Sequence, residues 1–72
     1  MKTLETRFRE NLFTLRKERG MSQQEVARQV GASQQCVSQW EKGLIEPTLT
    51  FLWALADLFE VSVDELIGRV DF

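Results

Sequence analysis

Two short helices that must close on each other constrain this chain more than any other feature. The stretch Ser22–Gly43, SQQEVARQVGASQQCVSQWEKG, carries start and stop signals for both. Ser22 is a good helix N-cap, and Glu25 three positions later completes a capping box. Val26, Ala27 and Val30 then recur at helical spacing. Gly31-Ala32 breaks the run, because glycine accepts the left-handed conformation that ends a helix. Ser33 caps the second helix and Gly43 stops it. In that second helix Val37, Trp40 and Glu41 share one face. Gln34, Gln35, Ser38, Gln39 and Lys42 occupy the other.

The outer face holds three glutamines, a serine and a lysine, with no carboxylate. An ordinary solvated helix mixes Glu with Lys in i, i+4 pairs. A glutamine amide offers a donor and an acceptor together, which suits the N6/N7 edge of adenine in a DNA major groove. A carboxylate there would repel phosphate. The competing interpretation is a polar solvated face that binds nothing.

The remaining chain supplies a scaffold. The spacing of Leu4, Phe8, Leu12 and Leu15 predicts a first helix over Leu4–Arg19 with that stripe facing the core. Arg16 lies beside the stripe, and a guanidinium at a core edge needs a carboxylate. Glu41, inward on the later helix, is the expected partner; the alternative leaves Arg16 solvated and Glu41 at the rim. Phe13 falls off the stripe. It covers the core edge beside Arg9 and Lys17, or it anchors a second subunit; the first is favoured.

After Leu44-Ile45-Glu46, Pro47 blocks helix continuation and Thr48 caps a new helix. Leu49, Leu52, Leu55, Ala56 and Phe59 give it a stripe, with Trp53 alongside, and it is expected to be the central packing element. Glu60 ends it without a glycine, a less favourable cap. Ser62 and Glu65 form a second capping box for a last short helix, Val63 to about Ile67, which Gly68 stops. Val70 and Phe72 remain near the carboxyl end, packed down or shared with a neighbour. The expected fold is all-α, five helices in one domain spanning 1–72.

Composition narrows the function. Seventy-two residues make a single domain that buries roughly 60% of its unfolded surface. Net charge is −2, yet the distribution is uneven. Met1 to Lys42 carries eight basic and five acidic residues, a surplus of +3, whereas Gly43 to Phe72 carries one basic and six acidic, or −5. Such a chain can turn a basic end toward phosphates. No apolar run reaches the ~20 residues of a membrane span. The start lacks a secretory signal, and one cysteine forms no internal disulfide, so a cytoplasmic location is expected. With no histidine there is no Ser-His or Cys-His pair, and neither a zinc site nor a phosphate-cradling glycine motif is present. Catalysis, a metal and a cofactor are therefore not expected. Cys36 is a small, partly buried side chain or, less simply, a redox-sensitive thiol.

Several motifs occur together and in order: Leu12-x-x-Leu15-Arg16, Gly20-Met21-Ser22-Gln23-x-Glu25-Val26-Ala27 and Gly31-x-Ser33. Val37-Ser38-x-Trp40-Glu41-x-Gly43, Pro47, Leu55-Ala56 and Val61-Ser62-x-Asp64-x-Leu66 follow. This set resembles the helix-turn-helix domain of the lambda-like repressors and Cro proteins, from about Phe8 to Gly68. The resemblance implies a compact lambda-repressor-like bundle with the helix-turn-helix at 22–42. It implies a sequence-specific double-stranded DNA binder, a transcriptional regulator and dimeric repressor. Gln34, Gln35, Ser38 and Gln39 would contact bases, and Ser22, Gln23, Ser33 and Lys42 phosphates. Gln23 would also brace the first recognition glutamine. Arg16 and Glu41 match an internal ion pair of that family, and Ala27 a position where only a small side chain lets the helices close. The homodimer is expected through the C-terminal half, around Leu58 to Phe72. The chain departs from the family's pattern at Leu44-Ile45-Glu46, which lacks basic residues to meet the DNA backbone. The alternative is an antitoxin-like or adaptor protein-interaction module that kept the fold.

Overall fold

Four of the five helices begin where the chain carries a serine or threonine cap. The computed structural model describes residues 4–70, with side chains from Arg7 onward; Leu4 of the expected stripe and Phe72 of the tail fall outside the described side chains. Five helices follow: α1 (Leu4–Glu18), α2 (Gln23–Val30), α3 (Gln34–Lys42), α4 (Leu49–Phe59) and α5 (Val63–Leu66). Ser22, Ser33, Thr48 and Ser62 cap α2 to α5 with their side-chain oxygens. At Ser22 and Ser62 the reciprocal bond from Glu25 or Glu65 is also made, so both capping boxes close. Gly31 takes φ 80° and its N–H donates to the Ala27 carbonyl, which turns the chain out of α2.

The principal packing partners close a ring: α1 on α3, α3 on α2, α2 on α4, α4 on α5 and α5 back on α1. Inside it lie Phe8, Leu12 and Leu15 of α1, Val26 and Ala27 of α2, and Val37 and Trp40 of α3. Leu55, Ala56 and Phe59 of α4 and Leu66 of α5 complete the core. Burying apolar surface at about 25 cal/mol per Å² drives this closure. The all-α, five-helix architecture is the expected one. The role of α4 differs: it is one link of the ring and not its centre. Its stripe also shifts. Leu49 is 74% exposed. Phe51 packs inward instead, its ring centroid 5.3 Å from that of Trp40 and tilted by 53°. Trp53 stays on the outside, 66% exposed.

Polar side chains of α1 fasten the far end of the ring. Asn11 Nδ2 donates to the carbonyls of Glu65 and Leu66, each at 3.1 Å. Both carbonyls lie at the C-terminal end of α5, where intrahelical partners run out; that of Glu65 also accepts from the Gly68 N–H at 3.2 Å. Arg7 Nη1 reaches the Gly68 carbonyl at 3.2 Å. Gly68 has φ +83°, and a Cβ there would stand 2.7 Å from Arg7 Cβ, so glycine suits both the backbone and the contact.

The cap on α4 is strained as the sequence implied. Glu60 takes φ 58°, the single positive φ outside glycine among the described residues. Arg19 offsets part of the cost, donating to the Phe59 carbonyl at 3.0 Å and pairing with Glu60 at 3.2 Å. A left-handed non-glycine residue costs about 1–2 kcal/mol. The exposed ion pair contributes about 0–1 kcal/mol, and glycine's chain entropy opposes the gain by about 0.5–1 kcal/mol. Glu60→Gly is therefore expected to stabilise the domain by about 0.5 kcal/mol, read as a higher urea midpoint at unchanged slope.

Candidate nucleic-acid interface

The α2–α3 pair is held from beneath by apolar side chains. Val26, Ala27, Val37 and Trp40 are all buried, with Ala27 at 2% exposure where the two helices meet. That packing turns the opposite face of α3 outward. Gln34 and Gln35 in its first turn and Lys42 in its last are exposed, while Ser38 and Gln39 are half-buried. Cys36 is also half-buried and packs against the core. Ser33 spends its hydroxyl on the cap, accepting from the Cys36 N–H at 3.1 Å.

Beneath Gln34 runs a chain of directed hydrogen bonds. Arg16 Nε donates to Glu41 Oε2 at 2.6 Å and its Nη2 to Oε1 at 3.0 Å, a bidentate fork. Arg16 Nη1 also donates to the Met21 carbonyl at 2.9 Å. Both charged side chains are nearly closed off, at 10% and 7% exposure. Gln23 Nε2 then donates to Glu41 Oε1 at 3.0 Å, and Gln34 Nε2 donates to Gln23 Oε1 at 2.7 Å. The inward position of Glu41 was readable from the helical period. Its bond to Gln23 was not, since periodicity gives a face and not the reach of a side chain across two helices.

Two open grooves flank Gln23. One, of about 750 Å³, lies at the start of α2 and includes Lys17, Ser22, Gln23, Gln24 and Gln34. The other, of about 360 Å³, lies between α1 and α3 and includes Arg9, Phe13, Gln23, Ser38 and Lys42. Phe13 is 47% exposed, with the Arg16 guanidinium 5.5 Å and the Lys17 ammonium 5.7 Å from its ring centroid. It thus covers an edge of the site under two cations. Arg9, which the sequence did not single out for a role, donates to the Lys42 carbonyl at 3.4 Å and covers the end of α3. The Leu44–Glu46 loop that follows is exposed and brings no cation.

Glu25 sits at the lip of the first groove with its carboxyl held below the ordinary range. The Ser22 backbone N–H is the main cause, then the Ser22 hydroxyl, with Arg28 adding a little. A depressed carboxylate pKa contributes stability above its unfolded value and loses it as pH falls through the folded one. The stability advantage of the native chain over Glu25→Gln is therefore expected to be present at pH 7 and to vanish in acid below that folded value. Paired urea titrations across that range check it.

A short helix, a glycine turn and a second helix presenting amides over an anchored base define a helix-turn-helix DNA-binding domain. The helix-turn-helix family model matches residues 12–66. The chain is 41% identical over 61 residues to y4dJ, an uncharacterized HTH-type transcriptional regulator of Sinorhizobium fredii, covering 85% of this chain and 79% of that protein. It is 35% identical over 63 residues to the cryptic phage CTXphi transcriptional repressor RstR of Vibrio cholerae, covering 88% of this chain and 56% of that one. Among solved structures it superimposes on the P22 c2 repressor protein in complex with a synthetic operator, with TM-score 0.79 and 32% identity over 82% of this chain and 89% of that one. A transcriptional regulator from Listeria innocua matches with TM-score 0.83 and 34% identity, over 90% of this chain and 61% of that one. The chain belongs to the lambda-repressor-like helix-turn-helix family of DNA-binding transcriptional regulators. Among the described residues no helix is long and apolar enough to cross a membrane.

Proposed function

We propose that this chain is one domain, residues 1–72, that binds double-stranded DNA sequence-specifically as a cytoplasmic, dimeric repressor. One observation carries the proposal: α3 exposes amides and no carboxylate, and its first amide is tied through Gln23 to a buried ion pair. In this reading α3 enters the major groove. Gln34, Gln35, Ser38 and Gln39 face base edges, with a glutamine bidentate to adenine. Ser22, Gln23, Ser33 and Lys42 face phosphates and set the register; such contacts position the protein without reading sequence. Arg16 and Glu41 keep the platform rigid. The Leu44–Glu46 loop offers the DNA backbone mainly main-chain N–H groups, that of Leu44 excepted, since it donates to the Gln39 carbonyl at 3.0 Å.

A single short helix spans too few base pairs to select one genomic site, and dimers of such domains read half-sites about 34 Å apart. The homodimer uses the C-terminal half, around Leu58 to Phe72, where Val70 is 51% exposed. Part of the Leu58–Phe72 region expected to form it lies outside the described residues.

Titration of the native chain and two variants against selected and random duplexes tests the assignment. Gln34→Ala is expected to lose about 1–3 kcal/mol of discrimination at one position per half-site. Lys42→Ala is expected to weaken all duplexes alike and to lower the salt slope by about 1. Equal weakening of selected and random DNA by Gln34→Ala would remove the base-reading role. A native chain with no affinity for either duplex at low salt would favour the protein-interaction module instead.

A further inference from the structure

Two aromatic side chains are exposed among the described residues, Phe13 and Trp53. Trp53 shares its groove with Leu49 and Thr50 of its own helix. Phe13 shares its groove with Gln23, Ser38 and Lys42, which come from two other helices and are all assigned to DNA above. Nothing in that assignment uses the ring. A phenyl ring donates no hydrogen bond to phosphate, and its π face is negative. Here the Arg16 guanidinium and the Lys17 ammonium stand 5.5 Å and 5.7 Å from the ring centroid, which offsets that negative face. Arg9 and Lys42 add two cations to the groove against the Glu10 carboxylate, while Glu41 is spent on Arg16. The groove therefore combines anion-seeking walls with one apolar surface.

A DNA strand has the complementary pattern: phosphates joined by a deoxyribose whose surface is largely C–H. With α3 in the major groove, the flanking sugar turns its C2′ and C3′ hydrogens toward the protein. In RNA the C2′ position carries a hydroxyl instead. We propose that Phe13 is an uncharged backbone contact: its ring packs on the deoxyribose next to the phosphates that Gln23 and Lys42 hold, and it selects a 2′-deoxy sugar there. A ribose would press a hydroxyl against the ring, where it finds no hydrogen-bond partner. Counterion release comes from cations meeting phosphates, so the ring adds affinity without adding salt dependence. It reads no base, so it adds none of the sequence preference. This inference rests on the DNA-binding role proposed for the α2–α3 face.

The test uses a duplex selected by the native chain, and the same duplex with one ribonucleotide placed at each position in turn. Affinities are measured for the native chain, Phe13→Ala and Phe13→Leu over a range of salt. Phe13 is 47% exposed. Phe13→Ala is expected to weaken selected and random duplexes alike by about three- to tenfold, the yield of burying the exposed half of a phenyl ring. Its salt slope should stay native, unlike that of Lys42→Ala. Phe13→Leu, which keeps apolar bulk, should lose less. One ribonucleotide per half-site should weaken the native chain by about fivefold and Phe13→Ala not at all. Any effect of ribose on duplex shape is common to both proteins and cancels in that comparison. Equal ribose penalties in the native chain and Phe13→Ala at every position overturn the inference. A lower salt slope in Phe13→Ala also overturns it, and leaves the ring as a support for Lys17. A lower urea midpoint with DNA affinity unchanged overturns it too, and leaves Phe13 as a cover for the core edge. If the native chain binds neither selected nor random DNA at low salt, the proposed function itself fails, and the inference with it.

Discussion

Glu41→Ala is expected to destabilise the domain by about 3–5 kcal/mol, because it strands a buried guanidinium. Arg16 would lose both bonds of its fork and keep only the Met21 carbonyl. Gln23 would lose its acceptor as well. Domains carry roughly 0.05–0.15 kcal/mol of stability per residue, so a loss of this size removes most of what a chain this short has. Circular dichroism should show a partly unfolded chain at room temperature with no sharp thermal transition. The double variant Arg16→Met, Glu41→Leu distinguishes charge burial from packing. Apolar replacement of a whole buried pair is often neutral or stabilising, so the double variant should be more stable than Glu41→Ala. A Glu41→Ala protein with a native urea midpoint would mean that the pair is solvated.

Trp40→Ala is expected to cost a similar amount, about 3–5 kcal/mol, for a different reason. Trp40 is among the largest fully enclosed side chains and meets the Phe51 ring. Its removal leaves a cavity where α3 turns against the rest of the ring, so the orientation of the amide face should suffer with the stability. Trp53 supplies the internal control. Two-thirds exposed, it should tolerate alanine within about 0.5 kcal/mol. Urea denaturation of the two variants, monitored by helicity, separates the cases. Comparable losses at both positions would contradict the core described above.

Much of the fold was legible because caps and period are local signals. Ser22, Ser33, Thr48 and Ser62 each mark a helix start within a few residues of sequence, and the structure uses all of them. Leu12, Val26, Val37 and Leu55, each placed inward by spacing alone, are fully enclosed. Leu49 was misplaced because period says which face a residue shares, not whether another element covers that turn. Phe51 reveals the same gap from the other side: it is drawn inward by Trp40, a partner eleven residues earlier on another helix. At the interface, the exposed amides and the inward Glu41 followed from one helical wheel. The links through Gln23 depend on side chains crossing between helices, as do the ties from Arg7 and Asn11 to α5. Chemistry limits such links to a few combinations, but only the packing of helices selects among them.

The central claim is that glutamine amides on α3 read bases directly. Selection of duplexes from a fully randomised library by the native chain tests it most directly. The account predicts enrichment of two-fold related half-sites, centred about 10–10.5 base pairs apart, with adenine at the position that Gln34→Ala then leaves undetermined. Retention of all sequences alike, or a preference that survives Gln34→Ala and Gln35→Ala together, would contradict it.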